Sequence, residues 1–163
     1  MNKMYRVLLL LLLAGCNREE PTPEPVSKPS LPVPPPIPTP PTGRVSADQA
    51  HQIAIAAFRR IDWLKEMVDL DRAMREPRLY IQLFDDPMTQ LINVWPVVGD
   101  DNYKTFTPYL VCVDATLSLS RLGDTRQRYL RSGGMRTADD PASVAREKEF
   151  LDLYFQCSEA VKA

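Results

Sequence analysis

Eleven of the chain's 16 prolines fall between Pro21 and Pro41, and this crowding decides where a fold can form. Each proline removes a backbone donor and holds φ near −65°, so a run of them supports neither a helix interior nor a sheet. Asn17 to Thr42 therefore reads as a semi-rigid, disordered tether in polyproline-II conformation, extending at most roughly 80 Å at ~3.1 Å per residue. A PxxP ligand for a partner domain is the competing use of the same residues. Residues 43–163 remain for a core, and that length suits one domain. No internal repeat is present in the sequence.

Within 43–163 the hydrophobic spacing is helical. Ser46-Ala47-Asp48-Gln49 has the capping-box form, and Ile53, Ala57, Ile61, Leu64 and Val68 then recur on one stripe, flanked by Phe58 and Trp63. This predicts a helix over 46–75, ending before Pro77, with Arg59, Arg60, Asp62, Lys65 and Glu66 mainly on its solvated side. Leu79 to Phe84 reads as a short helix, since a strand there lacks a partner, and Asp86-Pro87 as the start of a second one. Trp95-Pro96-Val97-Val98-Gly99 is irregular, either packed or offered to a partner, with packing favoured for residues so apolar. Thr107-Pro108 opens a helix from Tyr109 to Leu122 that Gly123 closes, followed by amphipathic turns from Thr125 to Arg131 and a Gly133-Gly134 break. Asp140-Pro141 starts the last helix, whose arc carries Val144, Leu151, Tyr154, Phe155, Cys157 and Val161. With no hairpin signal, the fold class is an all-α helical bundle.

The first residues carry an address. Lys3 and Arg6 precede the apolar run Val7 to Leu13, which leads into Leu13-Ala14-Gly15-Cys16. A spanning helix needs ~20 apolar residues, so this stretch is too short to cross a bilayer. The arrangement resembles the lipobox of bacterial lipoprotein signal peptides, in which residues 1–15 are removed and the cysteine becomes the lipidated first residue. An ordinary secretory signal with a chance cysteine is the competing reading. The resemblance implies export, acylation of Cys16 by two or three chains and, because Asn17 rather than Asp follows, sorting to the outer membrane, facing the periplasm. Loss of Lys3 and Arg6 from 20 basic residues, against 21 acidic ones, leaves the mature chain near −3. That balance argues against nucleic acid as a partner.

With Cys16 assigned to lipid and an oxidising compartment implied, Cys112 and Cys157 are expected to form a disulfide between two antiparallel helices. Two buried free thiols are the alternative, and a metal site is disfavoured with two thiols and a distant His51. His51, early in the first helix, reads as solvated. No HExxH, P-loop, dinucleotide or G-x-S-x-G pattern occurs, so no catalytic residue, metal or small-molecule cofactor is assigned. The carboxylate pairs Asp85-Asp86, Asp100-Asp101 and Asp139-Asp140 stand at expected helix starts and turns, where capping accounts for them. Asp85, Asp86, Trp95, Asp100 and Asp101 are the candidate partner-contact residues, the acids forming a rim that steers a basic partner. The expectation is a non-enzymatic, lipid-anchored protein-binding domain. One version resembles periplasmic immunity lipoproteins. An accessory subunit of a secretion or envelope assembly is a second reading, and a small carboxylate-dependent wall hydrolase a third.

Overall fold

The computed structural model describes residues 33–39, 42–97 and 99–163. The lipobox, Cys16 and the tether as far as Pro32 lie outside the described residues. The helices are α1 (Ala47–Val68), α2 (Asp71–Arg75), α3 (Pro77–Tyr80), α4 (Asp86–Ile92), α5 (Leu110–Arg131) and α6 (Pro141–Ala160), and no strand occurs among the described residues. One hydrophobic core is shared by all of them. The compact unit runs from Val33 to Ala163.

The start signals act as read at two places. At α1 the Gln49 amide donates to Ser46 Oγ (3.2 Å) and the Ser46 amide to Gln49 Oε1 (2.9 Å), a complete capping box. At α6 the Asp140 carboxylate accepts from the Ala142 and Ser143 amides. The Ser143 hydroxyl donates to it as well, at 2.6 Å, and this bond foremost holds the Asp140 carboxyl below its ordinary range.

Several boundaries differ from expectation, each for a tertiary reason. The first helix stops at Val68, not 75, because Arg126 on α5 donates to the Val68 carbonyl (3.2 Å) and to the Asp69 carboxylate. Leu70 then turns extended before α2 restarts the chain. Asp86-Pro87 opens α4 as expected, but with no break before it. Residues Pro77–Ile92 run on through a π-helical turn at Ile81–Asp85, where the Asp86 amide donates to the Ile81 carbonyl. That wider turn accommodates Pro87, which has no amide to donate and whose ring crowds the preceding turn.

Gly123 does not close its helix. α5 runs unbroken to Arg131, absorbing Thr125 to Arg131, and a Cβ at Gly123 would lie 2.1 Å from Phe84 Cε1. The glycine is there to admit a ring. The true stop is Gly133, at φ +100°, with the Gly134 amide donating to Tyr129 and the Gly133 amide to Leu130 in a Schellman arrangement.

α5 and α6 pack antiparallel, bonded by Cys112–Cys157 near one end (S–S 1.99 Å) and by Arg126 to Glu147 near the other (2.8 Å). The buried seam of α6 is Ser143, Phe150 and Cys157, while Val144 and Phe155, expected in that arc, face outward.

Candidate functional site

The expected contact residues differ in exposure, one being buried and the rest exposed. Trp95 is a core residue, 7% exposed, with its indole N–H donating to Thr116 Oγ1 (3.1 Å) and its ring edge-on to Phe106 at 6.2 Å. It offers no surface to a partner. The neighbouring Val97, 76% exposed, does. Asp85 lies on the π turn and Asp86 opens α4, both exposed, and neither caps a helix through its side chain. Asp100 accepts from the Asn102 amide (2.7 Å) and so shapes its own loop, while Asp101 is exposed beside it. No hydrogen bond or ion pair joins these four carboxylates to one another among the described residues. Asp139 lies exposed on a single 3-10 turn, Thr137–Asp139.

His51 is fastened rather than solvated. Its Nε2 lies 3.2 Å from the Val161 carbonyl, an acceptor, so Nε2 carries the proton, and the ring meets Tyr109 edge-on at 5.8 Å. The histidine ties the start of α1 to the end of α6. Among the described residues no group of three or more His, Cys, Asp and Glu is placed to hold a metal ion, and no helix is long and apolar enough to cross a membrane.

Three surface features survive as candidates. On the α1–α6 seam, Phe58 stacks on Tyr154 at 5.1 Å, Tyr154 meets Phe155 at 5.6 Å, and Phe155 is 62% exposed. Tyr154 is held in place by donating to Asp62 Oδ1 (2.6 Å). Burial first, and then the Asp62 carboxylate, push the Tyr154 phenol up to about 12. The result is a pre-set aromatic ladder with one ring turned outward, the kind of side chain that anchors interfaces.

The second is an open depression of about 650 Å³ at the foot of α1, lined by Thr39, Arg44, Asp48, Gln52 and Ile53 among others. Two of its lining residues are fixed by Asn102, whose side-chain amide donates to the Gly43 carbonyl (2.8 Å) and accepts from the Val45 amide (2.8 Å). The third is the other flank of α1, where Arg60 donates to the Pro35 carbonyl at 2.7 Å. Arg60 and Asn102 both escaped the sequence reading. A guanidinium on a helix reads as solvated until something covers it, and a loop asparagine looks like any other.

No protein-family model, curated protein or solved structure matches this chain. Function is therefore argued from its own residues.

Proposed function

We propose that this chain is a non-enzymatic lipoprotein of the bacterial outer membrane, facing the periplasm, whose helical domain binds another protein. The observation that carries the reading is Leu13-Ala14-Gly15-Cys16 behind a short apolar run. The Cys112–Cys157 bond supports the compartment, because such bonds persist outside the reducing cytosol. Partner binding draws support from Phe155 and Val97, two of several large apolar side chains left in water, Phe155 at the end of an ordered aromatic ladder. The version we favour is an immunity protein that neutralises an enzyme delivered into the periplasm. A small disulfide-linked domain on a tether suits that task.

The test has two arms. Cys16→Ala is expected to abolish fatty-acid incorporation and release the protein from the membrane fraction; lipid labelling that persists in the variant ends the anchor reading. A photoreactive residue in place of Phe155 is expected to cross-link a single protein in intact cells, and the chain to protect them from a periplasm-directed toxin encoded beside it. Survival that does not depend on the chain rejects the immunity version. Defective secretion on deletion points instead to the envelope assembly.

A further inference from the structure

The flank of α1 that carries Arg60 and Trp63 borders the stripe that faces the helical core, and Trp63 packs into that core at its edge. At 3.6 residues per turn, Trp63 stands roughly 140° from the line through Ala50, Ala54, Ile61 and Val68. At this edge Trp63 is 9% and Arg60 3% exposed. Val33–Thr39 has no regular secondary structure and no backbone hydrogen bond of its own among the described residues, and its Pro35, Ile37 and Pro38 are half-buried. Arg60 Nη1 donates to its Pro35 carbonyl, and the Arg60 guanidinium sits 4.9 Å over the Trp63 ring.

Two further donors on this face are unused. Arg60 Nε and the Trp63 indole N–H are both buried with no partner among the described residues. No carboxylate pairs with Arg60 there either, and burial draws its pKa down. The face thus carries an aromatic ring, a guanidinium engaged through Nη1, and two idle buried donors, Arg60 Nε and the Trp63 indole N–H. A polyproline-II segment is the natural complement, because it spends none of its carbonyls internally and presents proline rings to an aromatic surface. The chain's own segment satisfies only part of this face, and it brings no acidic residue to the guanidinium: Val33–Thr39 reads Val-Pro-Pro-Pro-Ile-Pro-Thr.

We propose that the Arg60–Trp63 face of α1 is a docking site for polyproline-II segments, held in cis by Val33–Thr39 and yielding it to an acidic, proline-rich segment of a partner protein. The inference rests on the protein-binding reading above and names the partner's chemistry. Because the cis segment is covalently tethered, it competes at high effective concentration, and a partner must out-bind it. The carboxylate and the two idle donors are what allow this.

The two indole N–H signals of the full-length, 15N-labelled protein in detergent provide the readout. Trp63 reports on the site, and Trp95, held by Thr116, reports on the fold. Replacing Pro34, Pro35 and Pro36 together by Ala is expected to move the Trp63 signal and leave Trp95 in place. Two synthetic probes are then titrated, the peptide Val-Pro-Pro-Pro-Ile-Pro-Thr and the same peptide with Glu at the Ile position. The acidic probe is expected to bind at least about tenfold more tightly than the neutral one, and both more tightly to the triple variant than to the wild type. Arg60→Met is expected to abolish binding of both probes with Trp95 unmoved. A Trp63 signal indifferent to the triple substitution, or to both probes in that variant, overturns the proposal. So does exchange of the segment between two copies, seen as a dimer that no probe disrupts. A null result here alongside cross-linking through Phe155 removes the proline site and leaves the protein-binding reading standing.

Discussion

Gly123 shows how much one missing methyl decides. Helix propensity by itself favours Ala over Gly mid-helix by about 1 kcal/mol. Yet the Phe84 ring occupies the space where that Cβ would go, and Phe84 is buried with nowhere to retreat. Gly123→Ala is expected to destabilise the fold by about 1–3 kcal/mol, the cost of overpacking a closed core. Denaturant unfolding measures it, and combination with Phe84→Leu is expected to restore much of the loss. An alanine variant as stable as the parent refutes this account of the residue. The sequence shows a glycine in a helical pattern, and closing the helix is the ordinary inference; only the ring from another helix reveals its use. Asp140, by contrast, was legible, because its capping partners are its own neighbours Ala142 and Ser143.

Between elements, the α5–α6 pair is the best-defined unit of the domain. The Cys112–Cys157 bond closes a 45-residue interval, and loop-closure entropy assigns to it a stabilisation of about 4 kcal/mol before strain. Thermal melting with and without reductant is expected to separate the wild type by a large fall in Tm, while Cys112→Ser melts alike in both. Equal melting of the wild type under the two conditions contradicts this. The pairing was open to inference from two cysteines in helical stretches, since antiparallel packing brings the early part of one helix level with the late part of the other. The single long helix expected over 46–75 was not. Its stripe continues to Val68 without a fault, and the stop is imposed by a guanidinium from a helix far along the chain. The π turn before Pro87 is a similar case, in which a proline that looks like a start is carried within a run of helix.

For the molecule as a whole, Arg126 is the joint. Buried on α5, it donates to the Val68 carbonyl and Asp69 carboxylate at the end of α1 and to Glu147 near the start of α6. Arg126→Met keeps much of the bulk and removes every bond, and is expected to cost about 1.5–3 kcal/mol, the range for a hydrogen bond to a charged group. Urea unfolding tests it, and a loss below about 0.5 kcal/mol, ordinary for a surface change, sinks the idea of a joint. The sequence by itself determined the all-α class, the two capped helix starts and the cysteine pairing. These follow from periodicity, from local hydrogen bonds and from the count of thiols, all of which act over short or chemically specified distances. Tertiary structure decided that α1 breaks at Val68, that Gly123 admits a ring, that Trp95 is core, and that Arg60 is buried and donates to the Pro35 carbonyl. The burial of a side chain off the core stripe, and the partner of a charge, are set by whatever packs over them, and local pattern carries no record of that.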